Sequence, residues 1–185
     1  MSLTPSNMLP LGTKAPDFQL VDTKTGKMEM LSTLKSDIAT VIMFICNHCP
    51  YVKHVERQLV KLSNDYIPKD ISFIAISSND IENYPDDAPE KMKENALDLG
   101  YPFSYLFDET QEVAKTYDAA CTPDFYIFDK DMQCVYRGQL DGSRPGNNIP
   151  VTGNDIRLAL NNILNDKPVE SHQKQSMGCN IKWKS

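Results

Sequence analysis

The sequence predicts an α/β domain, and three observations carry that reading. Residues 38–45 (IATVIMFI) and 71–77 (ISFIAIS) are almost continuously apolar and β-branched, the pattern of strands buried on both faces. Between them Val52, Val55, Leu59 and Leu62 recur at helical spacing, while Lys53, Glu56, Arg57 and Lys61 fall elsewhere, which describes an amphipathic helix. Further on, DFYIFD (124–129) and QCVYRGQL (133–140) read as a hairpin around Lys130, Asp131 and Met132. The order is strand, helix, strand, helix, then a strand hairpin and a final helix.

Each element has its own signals. Residues 1–10 read as a flexible N-terminus, and the loop character continues through Gly12 to Pro16. Phe18 and Leu20 alternate with polar neighbours, and Met28, Met30 and Leu31 follow a turn at residues 24–27, which suggests a short N-terminal hairpin. Pro50 opens the amphipathic helix at a position where no N–H is needed. After the acidic loop NDIENYPDDAPE (79–90), a helix over residues 89–99 starts at Pro89 and stops at Gly100. Residues 103–107 suggest a short strand and 109–118 a short helix. Ile156, Leu158, Leu160, Ile163 and Leu164 belong to the last helix, with Asn154 or Asp155 as its expected cap. Residues 167–185 form a polar C-terminal tail. With no internal repeat and no linker, residues 1–185 are expected to be one domain, long enough to bury a core without staples.

Composition excludes several classes of function. A net charge of −6 with no clustered Lys or Arg argues against nucleic acid as a partner. No apolar stretch approaches the ~20 residues of a membrane span. The N-terminus lacks a basic region followed by an apolar one, so no export signal is read and a cytoplasmic location is expected. The five cysteines, Cys46, Cys49, Cys121, Cys134 and Cys179, are an odd number, which rules out a complete internal disulfide framework.

Chemistry concentrates in residues 44–54, FICNHCPYVKH. Cys46 and Cys49 form a Cys-x-x-Cys pair that can be half a zinc site, a structural disulfide or a working dithiol. Zinc sites join such a pair to a second pair or to closely spaced histidines, and the other cysteines here are isolated, so no metal is expected. A cysteine at a helix N-terminus meets free N–H groups and the positive end of the macrodipole, both of which favour thiolate. His48, between the two sulfurs, reads either as a group tuning their pKa or as an exposed loop histidine. His54 and Lys53 read as solvated helix residues. In CTPDFYIF (121–128), Pro123 stands just before a strand, either as an ordinary trans proline or in a cis bond kept for its geometry.

A Cys-x-x-Cys after a first core strand, with Thr122–Pro123 opening an antiparallel hairpin, resembles the thioredoxin superfamily. LGTKAPDFQL (11–20), CNHCPYVKH (46–54), CTPDFYIFD (121–129), YRGQLDGSRPGN (136–147) and GCNIKW (178–183) together resemble its peroxiredoxin-like branch, whose members carry labels such as thiol-disulfide isomerase or AhpC/TSA relative. The resemblance runs over nearly the whole chain. It implies a thioredoxin-like fold, a central mixed sheet flanked by helices, here with an N-terminal β-hairpin extension and a C-terminal tail. It also implies that Thr122 and Pro123 face the dithiol and position an incoming substrate strand. The chain departs from true peroxiredoxins, whose peroxidatic cysteine follows Thr or Ser by three residues and Pro by seven. For Cys49 those places hold Cys46 and Ile42, and for Cys46 they hold Met43 and Ala39. The branch's arginine ahead of the hairpin is also missing, with Arg137 and Arg144 as the nearest substitutes.

The sequence therefore points to a thiol–disulfide oxidoreductase in which Cys46, as the thiolate, is the nucleophile and Cys49 resolves, with no cofactor. Its expected partners are protein or small-molecule disulfides and a cellular thiol reductant. A thiol peroxidase acting on hydroperoxides is the alternative; a copper-handling protein, with His172 as a distant ligand, is a second. Cys121 and Cys179 are read either as further redox participants or as packed thiols, and Cys134 as core. Ile181 and Trp183 are the expected anchors of the tail.

Overall fold

Strand β4 (Ala39–Phe44) is buried along all six of its residues and organises everything around it. The computed structural model describes residues 3–185, and β4 lies inside its main sheet. It pairs in parallel with β5 (Ile71–Ser77) and antiparallel with β8 (Asp124–Asp129). The sheet continues through β6 (Ser104–Phe107), parallel to β5, and then to β2 (Gln19–Asp22) and β3 (Met28–Met30). On the other side β9 (Cys134–Gly138) closes the hairpin with β8. This is a mixed sheet flanked by helices, and the N-terminal hairpin expected around residues 24–27 is β2–β3.

The two-residue period of β4 divides the core. Val41, Met43 and Ile45 pack on one face with Val52, Val55, Leu59 and Leu62 of helix α2 (Pro50–Tyr66). The same cluster takes in Met92 and Ala96 of α3 (Pro89–Leu99) and Ile156 and Leu160 of α5 (Asn154–Leu164). Ile42 and Phe44 point the other way, toward Phe18, Tyr117, Tyr126 and Phe128. Two short helices, at Leu31–Leu34 and Glu112–Thr116, complete the set.

Two expectations need correction, and the tail holds more structure than its composition suggests. Residues 1–10 were expected to be flexible, but Leu3–Pro5 is a strand, β1; residues 1 and 2 lie outside the described residues. The last helix is not capped by Asn154 or Asp155. Gly153, in the left-handed region, stands at its N-cap, and the Asp141 carboxylate accepts the Thr152 and Gly153 N–H groups at 2.7 and 2.6 Å. The tail, finally, contributes a strand, β10 (Met177–Asn180).

That strand makes a second, three-stranded sheet. β10 runs antiparallel between β1 and β7 (Cys121–Thr122), placing Cys179 opposite Leu3 on one side and Thr122 on the other. Two glycines permit the approach. A Cβ on Gly178 would lie 1.9 Å from the Thr122 carbonyl oxygen, and one on Gly138 would lie 2.0 Å from that of Lys174. Ile181 is buried, as expected of an anchor, whereas Trp183 is exposed. We predict that Gly178→Ala, which drives a methyl into main chain, lowers stability by ~1–3 kcal/mol. Urea unfolding with hydrogen exchange checks this, with exchange accelerated first across residues 177–180.

Candidate active site

The carboxyl end of β4 delivers Cys46 to the edge of the main sheet, where the chain turns into α2. Cys49 is the N-cap residue of that helix and Pro50 its first residue, so the sulfur of Cys49 sits where a capping oxygen would. No side-chain hydrogen bond caps the helix, and the Val52 N–H of its first turn favours a thiolate on Cys49 instead.

Opposite this turn the Thr122–Pro123 bond is cis. Thr122 touches both sulfurs: its Oγ1 lies 3.4 Å from Cys46 Sγ, and its carbonyl oxygen lies 3.3 Å from Cys49 Sγ. A third sulfur completes the group. Cys179, carried in by β10, lies with its Sγ 2.7 Å from Cys49 Sγ. All three are closed off from solvent, with exposures of 1% for Cys46, 0% for Cys49 and 3% for Cys179.

Cys49 is the sulfur that meets both others, and it, rather than Cys46 as the sequence predicts, is the acidic member, because Cys49 stands at the helix N-cap and accepts from its neighbours while Cys46 lies near the Asp87 carboxylate. The hydrogen bond from Cys46 does most to lower its pKa, against the opposing effect of burial, and Cys179 and the Val52 N–H add to it; the result is about 5. The same Cys46–Cys49 hydrogen bond, helped by burial and the nearby Asp87 carboxylate, holds Cys46 well above the ordinary thiol value. Cys179 is pushed up to about 12, by burial first and then by its contact with Cys49.

Asp87 clamps the loop between the cysteines. It lies in a short 3₁₀ turn, Pro85–Asp87, and is fully buried. Its Oδ1 accepts the N–H groups of Asn47 (2.7 Å) and His48 (3.2 Å), while Oδ2 meets His48 Nδ1 (2.5 Å) and Asn79 Nδ2 (2.8 Å). Burial pushes its pKa up, but these hydrogen bonds outweigh it and leave the carboxyl below the usual range. The His48 ring stacks on Tyr84 with centroids 5.3 Å apart, and its Nε2 is buried without a partner among the described residues. One donor atom each from Cys46, His48 and Asp87 falls within 4.8 Å of the others, a spacing a metal ion could bridge. Such an ion would compete with the four hydrogen bonds already on the carboxylate.

The other candidates lie apart from this group. The Cys121 thiol, on the same short strand as Thr122, is directed to the Pro123 carbonyl at 3.8 Å rather than to the dithiol, and burial raises its pKa strongly. Cys134 is a core thiol, pushed up to about 12 by burial. Arg137 donates to the Leu9 carbonyl and to Gln173, and Arg144 to the carbonyls of Asp141 and Ser143 and to Gln139. His54, read as a solvated residue, instead meets Ser143 Oγ at 2.7 Å. His172 is exposed and lines a cavity with Tyr136, Leu158 and Lys174 that no cysteine enters. Asp87, Asn79 and Tyr84 were missed by sequence reasoning. Their one signal was an acidic loop leaving the carboxyl end of β5, beside Cys46.

The AhpC/TSA family model matches residues 11–137, more than half of the chain. The chain belongs to the AhpC/TSA family. Among solved structures, an uncharacterized conserved protein of Geobacillus kaustophilus is 64% identical with a TM-score of 0.98, covering 100% of this chain and 97% of that one. A hypothetical protein of Sinorhizobium meliloti is 42% identical with a TM-score of 0.96, covering 98% and 99%. The thioredoxin domain of a thiol-disulfide oxidoreductase from Bacteroides vulgatus shares the fold at 18% identity and a TM-score of 0.60, covering 71% and 90%. No curated protein matches the chain. This AhpC/TSA-family chain is thioredoxin-like in fold, and none of its described helices is long and apolar enough to cross a membrane.

The sulfur cluster makes a titration prediction. Cys49 has a lower pKa folded than the 9.0 of an unperturbed thiol. Its thiolate therefore stabilises the fold fully above that value, and the contribution is lost as pH falls through about 5. Ultraviolet thiolate absorbance is expected to report one ionised thiol at neutral pH, vanishing near pH 5 and absent from Cys49→Ser. A signal that survives Cys49→Ser and disappears in Cys46→Ser would reverse the assignment.

Proposed function

We infer that this AhpC/TSA-family protein is a thiol–disulfide oxidoreductase whose working pair is Cys46 and Cys49. The observation that carries the reading is the placement of the pair, with Cys49 at the N-cap of a helix and both sulfurs against Thr122, at 3.4 and 3.3 Å, beside a cis proline. At rest the charge lies on Cys49, which accepts the Cys46 proton as Cys46 attacks a substrate disulfide. A mixed disulfide forms on Cys46 and one substrate thiolate leaves, taking up that proton. Cys49, again a thiolate, then attacks the Cys46 sulfur, leaving a Cys46–Cys49 disulfide and releasing the second substrate half as a thiolate that takes its proton from solvent. A cellular thiol reductant, available in a reducing cytoplasm, reopens it. His48, held by Asp87, orients the loop, and Thr122 and Pro123 position the substrate.

Thiol peroxidase activity is the second reading, favoured by family membership and by the Thr122 hydroxyl near Cys46. It is the weaker one, because both arginines that might polarise a peroxide are engaged with carbonyls and glutamines elsewhere. Cys46→Ser is expected to lower reduction of a protein disulfide on the order of 10³-fold or more, the scale of a lost covalent nucleophile. Cys49→Ser, which removes both the base and the resolving sulfur, is expected to form the mixed disulfide on Cys46 more slowly and then to hold it. Unchanged reduction in Cys46→Ser, or hydroperoxide turnover exceeding disulfide turnover, would sink the assignment.

A further inference from the structure

Cys179 is placed for more than packing. It is the residue of β10 directly opposite Thr122, and its sulfur touches that of Cys49 at 2.7 Å. The strand that carries it is fixed on both sides of the site. Upstream, Ser176 Oγ donates to the Pro123 carbonyl at 2.5 Å, and Gly178 lets the main chain meet Thr122. Downstream, the Lys182 N–H donates to Asn79 Oδ1 and the Asp80 N–H to the Lys182 carbonyl, each at 2.8 Å. Asn79 in turn holds Asp87, so the tail and the Cys46–Cys49 loop hang on the same carboxylate. Lys182 Nζ also lies 5.5 Å from the centre of the Tyr84 ring that stacks on His48.

We propose that Cys179 is a third exchange thiol, which takes over the disulfide from the Cys46–Cys49 pair. This rests on the dithiol reading above. Thiol–disulfide exchange needs an attacking sulfur, a central sulfur and a leaving sulfur. Cys49 hydrogen-bonds to both neighbours, so it is the central one. In the oxidised chain the Cys179 sulfur attacks Cys49 Sγ and a Cys49–Cys179 bond forms. The Cys46–Cys49 bond breaks with its electron pair leaving on Cys46, which takes up the proton given by the Cys179 thiol. One disulfide replaces another, so no oxidant is required beyond the substrate disulfide that made the first bond. Once Cys49 is in a disulfide, its negative charge no longer opposes ionisation of Cys179. Cys46 returns as a free thiol against Thr122 while the oxidising equivalent is held beneath the tail strand.

The test uses the reduced full-length chain, oxidised with oxidised glutathione, quenched with acid over a time course, alkylated and peptide-mapped. The expected order is Cys46–Cys49 first, then Cys49–Cys179 growing at its expense while Cys46 becomes alkylatable again. Cys179→Ala is expected to stop at Cys46–Cys49, with complete loss of the second species. In Cys46→Ser, diamide is expected to close Cys49–Cys179 directly, and failure to do so overturns the proposal whatever Cys46 does. A wild-type chain that forms Cys46–Cys49 and never engages Cys179 overturns the exchange and leaves the dithiol reading intact. If Cys46 stays alkylatable throughout, the dithiol reading falls, and the exchange with it.

Discussion

The close approach of two main chains at Gly178 and Thr122 is the constraint on which the site depends. With no Cβ in the way, β10 lies against β7, and the residue after the glycine lands on Cys49. Thr122 is thereby shared: its hydroxyl and carbonyl face the two sulfurs of the loop, and its backbone faces the tail strand. Had β10 stood off by the width of a methyl group, Cys49 would keep the Cys46 hydrogen bond and the helix N–H but lose its second sulfur neighbour. The acidity of Cys49 therefore combines local effects, from the helix terminus and Cys46, with one that is set by the far end of the chain.

Asp87 connects these parts. A buried carboxylate is costly unless every lone pair is used, and here donors from residues 47, 48 and 79 use them. The result is a rigid loop between Cys46 and Cys49 that is tied through Asn79 to the tail at Lys182. All three sulfurs are buried, so a substrate disulfide reaches Cys46 only where the surface over it opens.

The sequence made the main sheet legible because its strands obey simple periods. IATVIMFI and ISFIAIS are apolar throughout since both faces of β4 and β5 are covered, and the Val52, Val55, Leu59, Leu62 stripe marks the buried side of α2. The Cys46–Cys49 pair and Thr122–Pro123 were readable as short motifs. The three-stranded tail sheet was not. LTP, CT and MGCN are too short to show alternation, and proline and glycine argue against strands there. They pair because long-range contacts and two bare Cα positions allow it. Asp87 was hidden for a different reason, since one aspartate among several in an acidic loop gives no sign that it will be the buried one. The cap of the last helix was also misread, because Gly153 supplies backbone conformation and Asp141 supplies the acceptor from eleven residues away.

The proposed disulfide chemistry depends on a pair of adjacent, unequally acidic thiols, Cys46 and Cys49. A single-turnover reaction tests it most directly: fully reduced protein, no external reductant, and an equal amount of a disulfide-bonded substrate, with thiols counted on both sides. One substrate disulfide is expected to open per chain while the chain loses two thiols, with Cys46 required. A substrate left intact beside a fully reduced chain, or equal turnover by Cys46→Ser, would contradict it.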